Sequence, residues 1–406
     1  MLLRCYPKVT DFIYHFFNQA PAADFRYIPV YSYGFWVAVG FFAAATMAVI
    51  EMRRREQLGL LTGQEQEITV GEAPSPTETL VYFLFSFVVF AKLFGLFAYK
   101  QQLMQGLSVG DYLQSAKGSL LGGILGGAAM AYYQYNEKKK QQLPKPERKK
   151  IMIYPSDGIG DLVVIAMVLG VSGAAFFNYL ENPGDYAHFW DDPIGSLFSG
   201  LSVFGGLICA GAGFAFYAWR KKINTAHFFD SIAPGFILAN GIGRIGCHVS
   251  GDGDWGLPNP YTKPDWFPQF LWSNHYEHNI IDMDPQNVIP GCTEEHCHFL
   301  TYAAYPTPLY EFLMCTTIFL ILWSLRKKMT YKPGIIFTIF MILIGVQRFA
   351  IEQWRDLSGR DLYHFGSVAL RQSEVISVVM FLLGIAATVY IWKKNPFLKD
   401  ISKLSE

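Results

Sequence analysis

Phe228-Phe229-Asp230-Ser231-Ile232-Ala233-Pro234-Gly235-Phe236-Ile237-Leu238-Ala239-Asn240-Gly241-Ile242-Gly243-Arg244-Ile245-Gly246 is the stretch that decides the fold. From Phe228 to Val249 the chain is largely apolar over a length that crosses the hydrocarbon core of a bilayer, about 20 residues. An unpaired guanidinium in hydrocarbon is costly, so Arg244 at the far end of this run reads as a functional group. Behind it comes a Gly-rich stretch, Ser250-Gly251-Asp252-Gly253-Asp254-Trp255-Gly256. Its glycines let backbone amides approach a ligand closely beside that charge. A fixed cation next to a pliable polar loop at membrane depth suits an anionic lipid headgroup.

Eight further runs of spanning character surround it: Tyr33 to Ile50, Leu80 to Ala98, Ser119 to Tyr133, Leu162 to Leu180, Ile194 to Trp219, Leu309 to Leu325, Gly334 to Ala350 and Val375 to Trp392. Half of the 406 residues are apolar and only 16% are charged, which places the chain among membrane proteins. The expected fold is an all-α polytopic membrane protein with about nine transmembrane helices and a small outer-face lobe. A formal net charge of zero argues against a nucleic-acid partner.

Basic clusters follow every second run. They are Arg53-Arg54-Arg55, Lys138-Lys139-Lys140 with Arg148-Lys149-Lys150, Arg220-Lys221-Lys222, Arg326-Lys327-Lys328 and Lys393-Lys394. Positive charge marks the cytoplasmic side, so the N-terminus is expected outside and the C-terminus inside. The outer loops hold acids instead, among them Glu181, Asp185, Asp191 and Asp192. The third run is short and Gly-rich, a candidate for packing inside the protein instead of facing lipid. Met1 to Ala20 lacks the apolar core and cleavage site of a signal peptide and reads as an interfacial segment, with Tyr14, Phe16 and Phe17 at headgroup depth. The expected organisation is therefore an interfacial segment (1–32), a first transmembrane helix (33–56), an inserted helical hairpin (57–150), core helices with the Gly-Arg motif (151–250), an outer lobe (251–308), C-terminal transmembrane helices (309–395) and a cytoplasmic tail (396–406).

The inserted hairpin carries an internal repeat. Ala91-Lys92-Leu93-Phe94 and Gly122-Gly123-Ile124 recur as Ala174-Ala175-Phe176-Phe177 and Gly205-Gly206-Leu207, offset by 83 residues (205 − 122), and each copy ends in a basic cluster. Small residues in both copies let helix backbones approach closely in lipid. In the lobe, Cys292 and Cys297 are spaced to allow a disulfide; free thiols, or a metal set with His296 and His298, are the other readings. There is no phosphate-binding loop, no paired-cysteine zinc framework and no nucleotide fingerprint. Arg244 and Arg348 both stand at outer ends of runs, where guanidinium groups can grip a phosphodiester. Glu352 and Arg355, three apart on one helical face, can pair.

Asp230-Ser231-Ile232-Ala233-Pro234, Gly243-Arg244-Ile245-Gly246 and the Gly and acid loop closing at Trp255-Gly256 together resemble the signature of the prolipoprotein diacylglyceryl transferases. Tyr33-Gly34, Gly200-Leu201-Ser202-Val203-Phe204-Gly205-Gly206, Pro306-Thr307-Pro308-Leu309-Tyr310-Glu311 and Arg348-Phe349 with Glu352 and Arg355 extend the resemblance from Tyr33 to Ser377. It implies a bacterial inner-membrane enzyme that moves diacylglyceryl from phosphatidylglycerol to the lipobox cysteine thiol of a prolipoprotein and releases glycerol phosphate. No metal and no diffusible cofactor are implied. Phosphatidylglycerol, the prolipoprotein and membrane lipid are the expected partners.

On that resemblance Arg244, Arg348, His248 and Glu352 are the expected catalytic groups. Tyr33, Asp252, Gly256, Tyr310, Glu311, Arg355 and Lys92 are the expected substrate-binding groups. The chain departs from the family pattern at Phe204, where a His or Tyr is frequent, at Ala175, where a basic residue is frequent, at Cys247 in place of Asn, and at Glu374 in place of Gln. The loop after the Gly-Arg motif is one residue longer. The thiol nucleophile must lose its proton, and the base is open between His248 and Asp252. Lys92 is expected to supply the charge that Ala175 lacks. A paralogue without transfer activity, acting as a lipid-binding subunit of a membrane complex, is the competing expectation; the repeat and the intramembrane charges also raise a transporter.

Overall fold

The computed structural model describes residues 4–17, 30–99, 101–102, 112, 117–181, 202–281, 284, 286–292, 296–355, 362–365 and 368–394. In chain order its elements are α1 (Val9–Phe17), α2 (Ser32–Gln57), β1 (Gln64–Val70), α3 (Pro76–Ala98), α4 (Leu120–Gln141), β2 (Glu147–Ile153), α5 (Ile159–Glu181), α6 (Val203–Arg220), α7 (Thr225–Ser250), α8 (Gln269–Trp272), α9 (Thr307–Lys328), α10 (Ile335–Glu352), β3 (Leu362–Phe365), β4 (Val368–Arg371) and α11 (Gln372–Lys394).

Among the described residues nine helices have 18 residues or more, one for each apolar run. Six are long and apolar enough to cross a membrane: α2, α3, α5, α9, α10 and α11. The other three are the glycine-rich α4 and α6 and the charge-bearing α7. The protein is a polytopic all-α membrane protein. The start of the fifth run, the acids Asp185, Asp191 and Asp192, and the tail 396–406 lie outside the described residues, as do the side chains of Tyr14, Phe16, Phe17 and Phe204.

The centre of the bundle is the α2–α7 pair, with α9 and α10 packed on the other side of α7. Small residues set the closeness of the first pair: a Cβ on Gly235 would meet the Ala44 carbonyl oxygen at 2.7 Å, and one on Gly40 would meet that of Ala239 at 3.0 Å. Ile237, Cys315, Leu322, Ile335, Ile336 and Phe340 close the α7–α9–α10 core. At the basic end, fully buried Glu51 binds Arg55 at 3.0 Å and Arg326 at 3.3 Å. Arg55 continues to Asp230 at 3.4 Å, and Asp230 accepts the Gly334 and Phe337 amides that open α10. The basic cluster at Arg53-Arg54-Arg55 is thus partly interior: Arg55 is fully buried and joins α2 to α7.

The repeat is present from β1 to α6. β1–α3–α4 and β2–α5–α6 start strand and helices at positions 83 apart (147 − 64), and α3 and α5 also end 83 apart. The Ser119 amide donates to Ala91 O at 2.8 Å, and its counterpart Ser202 donates to Ala174 O at 3.0 Å. Gly122 sits on Phe94 as Gly205 sits on Phe177. Knob and hole are exchanged once, where Phe90 over Gly126 becomes Cys209 over Gly173. β1 and β2 pair antiparallel, Gln64 with Ile153 and Val70 with Glu147, so that Glu67 at the centre faces Lys150, its own counterpart. Such a register is what a twofold axis through the middle rung produces.

α3 and α4 pack chiefly on each other. The glycines of α4 lie under Phe83, Phe87, Phe90 and Phe94, while Leu120, Leu121, Leu125, Tyr132 and Tyr133 point outward. Packing of the third run inside the protein is therefore corrected: its glycines fit one partner helix, and its other apolar faces are left exposed.

The lobe between α7 and α9 has little regular structure and its own small core of Trp255, Tyr276, Leu300 and Ala304, joined by Cys5 from the N-terminal segment. Cys292 and Cys297 form a disulfide. Val288 and His298, on either side of it in the chain, form an antiparallel bridge.

Candidate functional site

α7 delivers Arg244 to the lobe end of the bundle, where the helix stops at Ser250. Gly251 ends it in the left-handed region (φ 65°), and a Cβ there would meet Cys5 Sγ at 2.6 Å and Asn279 Cβ at 2.8 Å. Only glycine meets both demands. The chain then turns back over the bundle and is fixed at Gly256, which bridges to Arg355 and donates to Tyr305 O at 2.8 Å. A Cβ on Gly256 would lie 2.5 Å from Trp354 O, so this approach also needs glycine.

Between these anchors Asp254 faces three helix ends. It pairs with Arg244 through one carboxylate oxygen and with Arg355 through the other. Its carbonyl accepts from Thr307 Oγ1 at 2.7 Å, at the start of α9. One turn into α9, Glu311 has a side chain 1% exposed and meets three guanidinium groups: Arg244 Nε at 3.0 Å, Arg348 Nη1 at 3.5 Å and Arg355 Nη1 at 3.8 Å. Arg348 Nη2 also reaches Glu352 at 3.4 Å, and Glu352 accepts from Ser373 Oγ at the start of α11. Three arginines thus face three carboxylates, a balance without which burial of either set would be costly.

Of the residues singled out in the sequence, the structure brings five together: Arg244, Arg348, Arg355, Glu311 and Glu352 meet in one network. Arg244 and Arg348 converge on the same Glu311 oxygen. The expected Glu352–Arg355 pair is corrected. α10 ends at Glu352, so Arg355 lies beyond the helical repeat and turns to Asp254 and Glu311, while Glu352 pairs one turn back with Arg348.

The remaining expected residues take other places. Tyr33 lies on α2 against Gly246, half exposed. Tyr310 donates from Oη to Leu271 O at 2.7 Å and so holds the lobe to α9. His248 is buried with its ring edge-on to Tyr276 and Nδ1 3.3 Å from that hydroxyl. Lys92 donates to Lys117 O at 2.9 Å and Tyr112 O at 3.2 Å, inside its own hairpin. Asp252 stands beside Cys247, and burial pushes its carboxyl above the usual carboxylate range.

Asp254 was not singled out from the sequence, which aligned the loop acid with Asp252. The signal was the extra loop residue, which leaves two aspartates at alternate positions before Trp255-Gly256. Cys247, Asp252 and Asp254 offer ligand atoms within 4.8 Å of one another. Both Asp254 oxygens are held by arginines, so this group is better matched to anion handling than to a cation.

The family model described as prolipoprotein diacylglyceryl transferase matches residues 141–390, the span from β2 to the end of the bundle. The chain belongs to the prolipoprotein diacylglyceryl transferase family. Among its relatives is a protein of Enterococcus faecalis named phosphatidylglycerol–prolipoprotein diacylglyceryl transferase, 32% identical over 249 residues, covering 60% of this chain and 78% of the relative. Proteins of the same name from Streptococcus pneumoniae (30% over 256 residues, 61% and 82% covered) and Streptococcus agalactiae (27% over 243 residues, 58% and 80% covered) match comparably. The family match takes in β2, α5 and α6 and leaves α3 outside it.

Proposed function

We propose that this protein transfers the diacylglyceryl group of phosphatidylglycerol to the cysteine thiol of a prolipoprotein, in the bacterial inner membrane, with its N-terminus outside and its C-terminus in the cytoplasm. The observation that carries this reading is the meeting of Arg244, Arg348 and Arg355 around Glu311 and Asp254, at the lobe end of membrane-spanning helices. In the reaction the thiolate sulfur attacks the glyceryl carbon next to the phosphate. A carbon–sulfur bond forms, the carbon–oxygen bond to phosphate breaks, and glycerol phosphate leaves with the electron pair.

Charge develops on the leaving phosphate, and guanidinium groups held in place beforehand stabilise it without reorganising at that moment. The carboxylates supply the holding. A guanidinium carries five N–H donors, and Arg244 meets Glu311 and Asp254 through Nε and Nη1, so donors remain for a phosphate oxygen. Asp252 is the favoured proton acceptor for the thiol, because a carboxylate made more basic by burial is better matched to that task. His248 lies one helical turn from Arg244, but its ring is committed to Tyr276.

The test is a mass-shift assay on a lipobox peptide with phosphatidylglycerol vesicles, run with wild type and Arg244→Ala. Wild type is expected to add one diacylglyceryl mass, and the variant to lose about 10²-fold or more in rate. A well-folded wild type that yields no adduct would end the proposal.

A further inference from the structure

Pro258 to Trp272 forms a loop unlike the rest of the lobe. It contains four prolines, Pro258, Pro260, Pro264 and Pro268, which restrict its backbone. Its root is pinned twice: the Asn259 amide donates to Ala303 O at 2.7 Å, and Asn259 Nδ2 donates to Trp272 O at 2.9 Å. The tip carries a row of rings, with Trp266 on Phe267 at 5.3 Å and Phe267 on Trp272 at 5.6 Å, both edge to face. Trp266 is 81% exposed and Tyr261 is 69% exposed. The charges of the segment are Lys263 and Asp265, and Lys263 Nζ is turned inward onto Pro264 O and Phe267 O, each at 2.9 Å.

Phe267 and Trp272 are partly buried behind the tip, while the rings of Trp266 and Tyr261 are held outward by a proline-restricted loop, an exposed aromatic pair suited to a partner surface. Their depth identifies it. The Tyr310 hydroxyl, in the first turn of α9, donates to Leu271 O at 2.7 Å, and Tyr310 stacks edge-on with Trp354, 54% exposed and just past the end of α10. The loop is therefore rooted where two membrane-spanning helices end, the level at which Trp and Tyr rings favour the headgroup layer.

We propose that Pro258–Trp272 is a membrane-docking finger whose partner is the phospholipid headgroup layer around the lobe ends of α9 and α10. It fixes the lobe, and with it the Asp254 loop, against the bilayer beside the arginine network. Docking of the rings does not depend on transfer activity, so the two claims fail separately.

The test uses the full chain reconstituted in vesicles of phosphatidylglycerol and phosphatidylcholine, with wild type and Trp266→Phe compared by fluorescence. The wild-type-minus-variant emission reports Trp266. Lipids brominated near the headgroup are expected to quench it at least about twofold, and aqueous iodide to leave it nearly unchanged. Quenching by iodide without quenching by brominated lipid overturns the proposal. So does a Trp266 signal that responds to a lipobox peptide and not to lipid, because the finger then serves a polypeptide. In the kinetic arm, Trp266→Asp with Phe267→Ser is expected to raise the apparent KM for phosphatidylglycerol in vesicles by about tenfold and to leave KM in detergent micelles unchanged. Equal effects in both media count against a bilayer contact.

Discussion

Replacing Glu311 by Gln removes the charge at which three guanidinium groups meet and keeps the side-chain volume. The carboxylate is 1% exposed, with Arg244, Arg348 and Arg355 at 3.0, 3.5 and 3.8 Å. Removing one partner of a buried ion pair costs about 3–5 kcal/mol. Each arginine keeps a second carboxylate, Asp254 for Arg244 and Arg355 and Glu352 for Arg348, so the lower end applies, about 3 kcal/mol. For a chain of this size that lowers the melting temperature by roughly 3–4 °C. Misplacing the guanidinium planes by about 1 Å is expected to slow transfer by about 10²-fold. Thermal unfolding in detergent micelles and the lipobox mass-shift assay measure the two effects, with Glu311→Asp as a charge-keeping control that falls between. A Glu311→Gln protein that melts within about 1 °C of wild type and transfers at the wild-type rate would refute the claim that this carboxylate organises the arginines.

Three further outcomes are expected. Deleting residues 64–146, which joins Gly63 to Glu147, leaves a folded protein whose transfer rate stays within about threefold of wild type, because α3 and α4 pack chiefly on each other; loss of the folded protein on size exclusion would contradict this. Changing Cys292 and Cys297 to Ser opens a six-residue loop and lowers the lobe's stability by about 2 kcal/mol, read as faster proteolysis between residues 258 and 300. The raised Asp252 pKa means that wild type loses stability as pH rises from the ordinary aspartate value of about 3.9 through the raised one. Asp252→Asn is therefore expected to melt above wild type at neutral pH, with the gap closing in acid, and to lose transfer activity; melting temperature against pH checks the sign.

The bundle was legible in the sequence because spanning length and apolar composition are local properties; each of the nine runs holds a helix, though the first and third helices run seven and eight residues past the expected ends into their basic clusters and the start of the fifth run lies outside the described residues. The repeat was equally local, since an offset of 83 needs no knowledge of packing. What the sequence withheld was set by how elements end and meet. Glu352 and Arg355 share a helical spacing, but α10 stops between them. Asp252 and Asp254 look interchangeable until Gly251 and Gly256 fix which one turns toward the arginines. Lys92 carries the residue type frequent at the family position, yet the carbonyls that hold it belong to its own hairpin. Arg55 reads as one of a surface triplet, and only the approach of Asp230 from α7 makes it interior.

In the ladder of β1 and β2 each rung joins a residue to the counterpart of its opposite number. A molecule with one copy of the unit would present an open, self-complementary strand edge, the kind of surface along which like chains associate. With two copies in tandem, the second closes the edge of the first at the high local concentration that covalent linkage provides. Removing β1 together with α3 and α4 would reopen that edge.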